Sequence, residues 1–148
     1  MVIYLLLICA IVLLDQLVKF YVVHNVPLNT SYDFIQHFLG IAHIRNYGAA
    51  WNIFTGQKWL LFIITVVALG VLVYLFKKMW TNWIYALGLS LIIGGTIGNF
   101  IDRIRLGYVV DMFQLLFINF PVFNVADASL SIGVVIFLIA LLRDDKDD

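Results

Sequence analysis

Four runs of nearly unbroken apolar residues, at about positions 1–23, 59–76, 83–101 and 124–142, limit what this 148-residue chain can become more than any other feature. A helix needs about 20 apolar residues to cross the roughly 30 Å hydrocarbon layer of a bilayer, and each run approaches that length. Only 12% of the residues are charged, against about 25% in soluble domains. The expected fold is therefore an all-α membrane protein of four transmembrane helices, forming one integral membrane domain over residues 1–148. The first run has neither a basic residue before its apolar stretch nor a small-x-small cleavage site, so it is expected to remain attached.

The connections between runs are unequal. Residues 77–82 form a short loop, whereas 24–58 and 102–123 are long enough to build structure. Lys77 and Lys78 crowd the short loop, and Arg143 and Lys146 follow the last run, which places both termini in the cytoplasm and both long loops outside. The bias is one of charge density, since Arg45, Lys58, Arg103 and Arg105 balance it on the other side. Trp51, Trp59, Trp80 and Trp83 fall near span ends, as interfacial aromatics do. Residues 34–54 mix β-branched and aromatic side chains with Gly40 and Gly48, with Gly56 just beyond, and are expected to form short strands and turns, a small β-rich extracytoplasmic platform on the membrane surface. In the third run, Ser90, Gly94 and Gly98 recur every four residues, a spacing that lets two helices approach closely.

Several function classes fall away. Nine basic residues balance nine acidic ones, leaving no excess charge to draw nucleic acid. Cys9 has no second cysteine, which removes intrachain disulfides and thiolate metal sites; it is expected to be a buried apolar filler. His24, His37 and His43 are scattered and the chain has no Glu, so no zinc signature, and no metal or other cofactor, is expected.

Charge deep in a bilayer costs about 2.5–3.5 kcal/mol per residue even on the lenient insertion scale, so each buried polar residue needs a reason. Asp15 and Lys19 stand four apart on one face of the first run, where mutual neutralisation, with Lys19 snorkelling to the interface, is the simplest account. Asp102 continues the Ser90, Gly94, Gly98 stripe, with Asn99 and Arg103 one position round; a helix cap with an interfacial ion pair suffices for Asp102 or Arg103 taken singly. Asp111 stands alone in an apolar stretch, and Asp127 opens the fourth run on one face with Asn124 and Ser131. Helix capping accounts for one of these two aspartates but not for both reaching the same membrane depth. Two carboxylates within hydrogen-bonding reach share a proton near neutrality, which is what aspartyl proteolysis requires. A small proton-coupled transporter is the rival reading; it too uses membrane aspartates, though its sites usually lie near the midplane between repeats, and no repeat is present here. A Ser, His, Asp arrangement lacks a G-x-S-x-G elbow.

Five motifs in one order give the chain a family resemblance: Asp15-Gln16-Leu17-Val18-Lys19; Arg45-Asn46-Tyr47-Gly48-Ala49-Ala50-Trp51; Gly94-Gly95 through Gly98-Asn99 to Asp102-Arg103; Val109-Val110-Asp111-Met112-Phe113; and Phe120-Pro121-Val122-Phe123-Asn124-Val125-Ala126-Asp127. Over nearly its whole length the chain resembles the lipoprotein signal peptidases, or signal peptidase II, of bacterial inner membranes. The resemblance implies an aspartic endopeptidase in which Asp111 and Asp127 are the catalytic dyad. Asp15, Lys19, Asn46, Asn99, Asp102, Arg103 and Asn124 would bind substrate or support the site. It implies a substrate too, a diacylglyceryl-modified prolipoprotein cut just before the lipid-bearing cysteine. The enzyme would be a multi-pass monomer surrounded by membrane lipid, with its site near the outer face. Tyr47 stands where the family often has Thr.

Overall fold

The third apolar run becomes the centre of the protein because its small residues admit neighbours on two sides. The computed structural model describes residues 1–48 and 53–144; the Ala49-Ala50-Trp51 part of the second motif and residues 145–148, Lys146 among them, lie outside those described. Four helices form, α1 (Val2–Asn25), α2 (Lys58–Met79), α3 (Trp83–Arg105) and α4 (Val125–Asp144), each long and apolar enough to span a membrane. More than half of α3 is buried, while α1, α2 and α4 turn most of their surface outward, the pattern expected where lipid is the solvent.

The glycines explain this difference. On one face of α3, a methyl group at Gly94 would touch Ile11 at 3.0 Å and one at Gly98 would touch the Asp15 carboxylate at 2.7 Å, so α1 lies against the Ser90, Gly94, Gly98 stripe. On another face Gly88 meets the Gly133 carbonyl and Gly95 meets the Ala126 carbonyl, both on α4. This second seam is the more extensive helix contact and escapes a four-residue periodicity, because Gly88 and Gly95 stand seven apart. α2 buries only Leu61 and Phe76 along its length and packs chiefly on α3.

α1 buries Ile11, Asp15, Lys19 and Val22, a stripe of one helix face. Cys9 is two positions from Ile11 and so about 200° around a helix with 3.6 residues per turn; it is exposed on the outward side, not the buried filler expected from its apolar surroundings. α3 also outruns its apolar segment by a full turn, because Leu106 N–H bonds the Asp102 carbonyl at 2.7 Å and Gly107 N–H the Arg103 carbonyl. Asp102 and Arg103 are therefore helical residues.

Beyond the C-terminal ends of α1 and α3 lies a three-stranded antiparallel sheet, β1 (Ser31–Ile35), β2 (Leu39–Asn46) and β3 (Val109–Leu115), in that order. The first long loop supplies β1 and β2 as expected. The third strand comes from the second long loop, where Val109, Val110, Met112 and Phe113 have the apolar, β-branched and aromatic character of a strand. Val110 and Met112 pack on Val22 and Val26 at the end of α1, which anchors the sheet to the bundle. The pairing sets Ile44 opposite Asp111 and Asn46 opposite Val109, bringing the two loop motifs side by side.

Candidate active site

The nine site residues named from the resemblance, Asp15, Lys19, Asn46, Asn99, Asp102, Arg103, Asp111, Asn124 and Asp127, meet at the junction of α1, α3, α4 and the sheet. The first turn of α4 is closed by a reciprocal cap: Asp127 N–H donates to Asn124 Oδ1 at 2.8 Å, and Asn124 N–H donates to Asp127 Oδ2 at 3.2 Å. The chain leading into it is tied to β3, since Met112 and Phe113 N–H both reach the Phe123 carbonyl and Phe123 N–H bonds the Phe113 carbonyl at 3.0 Å. These bonds fix Asp111 on β3 relative to Asp127 on α4.

Asp111 is buried and accepts from Asn124 Nδ2 at 2.7 Å and from Asn46 Nδ2 at 3.0 Å. Burial, and then the nearby Asp127 carboxylate, push its carboxyl from 3.8 up to about 7, against the pull of the Asn46 and Asn124 donors and of the Lys19 charge. Asp127 is half-buried, and its second oxygen accepts from Asn99 Nδ2 at 2.7 Å. Both aspartates line a cleft of about 460 Å³ between α2 and α4, shared with Asn46, Asn99 and Arg103. Ile64, Ala68, Leu130, Phe120 and Phe123 supply much of the apolar lining of this cleft. Arg103 leans across it to donate to the Gly48 carbonyl at 3.3 Å.

Behind the cleft the other carboxylates form a separate cluster. Lys19 does not snorkel; it is 3% exposed and its ammonium donates to Asp15 at 2.8 Å, Asp102 at 3.0 Å and Asn99 at 2.9 Å. Three acceptors around three ammonium hydrogens hold the side chain inward. Asp102 is neither a helix cap nor the partner of Arg103: it pairs with Lys19 and accepts the Val110 N–H of β3 at 3.1 Å. Asp15 reaches further than a neutralising partner needs, accepting the Ala126 N–H of α4 at 2.9 Å. Gln16, which sequence reasoning passed over, donates to Asp102 at 2.9 Å and lies 3.2 Å from both Asp15 Oδ2 and the Gly98 carbonyl. Its signal was a polar residue next to Asp15 in an apolar run. No buried side-chain polar atom among the described residues lacks a partner. None of the histidines lines the cleft; His43 is buried under the sheet on the Val26 carbonyl.

The sequence model of the signal peptidase (SPase) II family matches residues 7–143. A lipoprotein signal peptidase of Lactiplantibacillus plantarum is 49% identical over 144 residues, covering 97% of each chain. One from Enterococcus faecalis is 46% identical over 147 residues, covering 99% of this chain and 91% of the relative. Among solved structures, a bacterial membrane enzyme superposes with a TM-score of 0.95 at 39% identity, covering 100% of this chain and 92% of its own. A second reaches 0.90 at 40% identity, covering 97% and 95%.

Proposed function

The chain belongs to the signal peptidase II family, and from that premise we propose that it removes signal peptides from diacylglyceryl-modified prolipoproteins by an aspartyl mechanism, with Asp111 and Asp127 as the dyad. One observation carries the assignment. Of the four buried or half-buried aspartates, Asp15 and Asp102 are ion-paired to Lys19, whereas Asp111 and Asp127 share one cleft, receive only neutral amide donors and have no ion pair among the described residues.

With one proton between the two carboxylates, the ionised member takes a proton from the attacking water while the protonated member donates to the scissile carbonyl oxygen. The tetrahedral intermediate then collapses as a proton passes to the leaving amine, so no metal or nucleophilic side chain is called for. The long cleft wall of Ile64, Ala68 and Leu130 suits an apolar signal helix lying between α2 and α4. A substrate held by that helix and by its acyl chains presents the bond before the lipid-bearing cysteine at the depth of the aspartates. Lys77 and Lys78 between α2 and α3 support cytoplasmic termini and a site at the outer face. In this reading the enzyme acts as a monomer in the cytoplasmic membrane.

The test is single-turnover cleavage of a prolipoprotein, with and without diacylglyceryl modification, by purified protein and its Asp111→Asn and Asp127→Asn variants. A cut immediately before the modified cysteine is expected. Each variant should fold and bind substrate yet turn over about 10⁴-fold more slowly or less, and the double variant should be scarcely worse than either, because coupled catalytic groups fail as a unit. Wild-type turnover by either single variant refutes the dyad.

A further inference from the structure

Three asparagines surround the two aspartates, and each offers a choice of which amide end faces the carboxylate. In each case a group that can only donate settles the choice. Gly48 N–H holds Asn46 Oδ1 at 2.9 Å, which turns Asn46 Nδ2 toward Asp111. Asp127 N–H holds Asn124 Oδ1 at 2.8 Å, which turns Asn124 Nδ2 toward Asp111. The third pin is a side chain: the Lys19 ammonium, which has no acceptor, stands 2.9 Å from Asn99 and so requires the amide oxygen there and Nδ2 toward Asp127.

Resting on the dyad reading above, we propose that Lys19 is a positioning residue for the reaction, holding the Asn99 amide so that Asp127 always receives a hydrogen-bond donor. Asn124 Nδ2 also reaches Asn99 Oδ1 at 3.0 Å, but its two hydrogens are divided among that oxygen, Asp111 Oδ1 and the Val110 carbonyl. The Lys19 bond is charge-assisted and about twice as strong as a neutral one, so it dominates the choice. A reversed Asn99 sets its carbonyl against Asp127 Oδ1. Two acceptors then face each other, and that contact closes only when Asp127 is protonated, which removes it as a base. The charged groups around this contact are Asp15 and Lys19 from α1, Asp102 and Arg103 from α3, Asp111 from β3 and Asp127 from α4.

A double-mutant cycle on kcat separates this role from a structural one. Folded Lys19→Met enzyme is expected to lose about 100-fold in kcat, the scale of one lost catalytic hydrogen-bond donor, with KM little changed and Lys19→Arg restoring most of the rate. In an Asn99→Ala background, Lys19→Met is expected to cause a much smaller further loss, the remainder coming from its ion pairs with Asp15 and Asp102. Additive losses overturn the proposal and assign the effect of Lys19 to its ion pairs with Asp15 and Asp102. Should Lys19→Met not fold, Asn99→Asp carries the test: the new carboxylate keeps an oxygen for Lys19 but sets an acceptor against Asp127. A large loss of kcat in that folded variant supports the proposal, and a wild-type kcat overturns it. Asp127→Asn measured alongside distinguishes the two failures. If it turns over normally the dyad reading falls; if it is inactive while the cycle is additive, only the positioning role falls.

Discussion

Substitution of Gly95 by alanine adds a single methyl group in the middle of α3, and the structure gives that group nowhere to go. Its Cβ would run into the Ala126 carbonyl oxygen and lie 3.1 Å from Leu130 N and 3.2 Å from the Ala126 carbonyl carbon, all of them α4 backbone. Backbone cannot rotate aside as a side chain does, so α4 must retreat by roughly an ångström to restore ordinary contact at about 3.5–4.0 Å. Overpacking of this kind costs about 1–3 kcal/mol. The displaced segment is the first turn of α4, which carries Asp127 and its 2.7 Å bond from Asn99. A shift of about 1 Å in a catalytic group is worth about 10²-fold in rate. Gly95→Ala should therefore lower both the thermal unfolding midpoint and single-turnover cleavage of purified enzyme. Gly70→Ala is the control, because Gly70 is exposed on α2 with nothing within 4 Å of the added methyl group. If Gly95→Ala keeps wild-type stability and rate, α3 and α4 do not meet as closely as described, and the positioning of Asp127 by that seam is wrong.

Four further outcomes are expected. With the Asp111 carboxyl pushed up to about 7, activity that needs its proton should decline as pH rises through that value, an alkaline limb that Asp111→Asn removes along with turnover; a rate flat from pH 6 to 9 contradicts this. The same shift has a sign for stability: between 3.8 and about 7 the unfolded chain releases a proton the folded one keeps, so this group's contribution is fully present below that window and is lost as pH rises through it, which pH-dependent unfolding of wild type against Asp111→Asn measures. Gln16→Leu leaves Asp102 and Asp15 short of a donor and should lower stability by about 1–3 kcal/mol in denaturant titrations while the cleavage rate of the folded fraction changes far less. In a Cys9→Ser background, which removes the native thiol, a cysteine at Thr30 should react with an impermeant reagent outside intact cells and one at Thr81 should not; the opposite pattern inverts the topology.

Length and hydropathy were enough to find the four helices, because lipid imposes a minimum span that few other constraints resemble. What they could not reveal was which helix lies at the centre. α3 is the least apolar of the four by mean hydropathy yet the most buried, since in a membrane small residues that permit close approach govern packing more than apolarity does. The strand β3 was equally hidden: seven residues, mostly apolar, beside a span read as a loop with one odd carboxylate, and only pairing with β2 shows that Asp111 needs a strand to hold it. The roles of Lys19 and Asp102 went astray for a related reason. A pair four residues apart on one helix invites a local explanation, and the third partner, eighty residues away in the chain, has no mark in local spacing.

The division of labour among the aspartates follows from there being one deeply buried ammonium. Lys19 has three hydrogens, and Asp15, Asp102 and Asn99 take them all. Asp15 and Asp102 are thereby compensated, and both also hold backbone: Asp15 takes the Ala126 N–H that starts α4 on its other oxygen, and Asp102 takes the Val110 N–H that aligns β3 on the same Oδ2 that meets Lys19. Those are the two elements that carry Asp127 and Asp111. The paired carboxylates thus place the unpaired ones, and the unpaired ones, left with amide donors alone, keep the capacity to exchange a proton. Had Lys19 reached the cleft instead, it would hold a carboxylate ionised and remove the shared proton on which the chemistry depends. Its withdrawal behind Asn99 gives the dyad a donor without giving it a counter-ion.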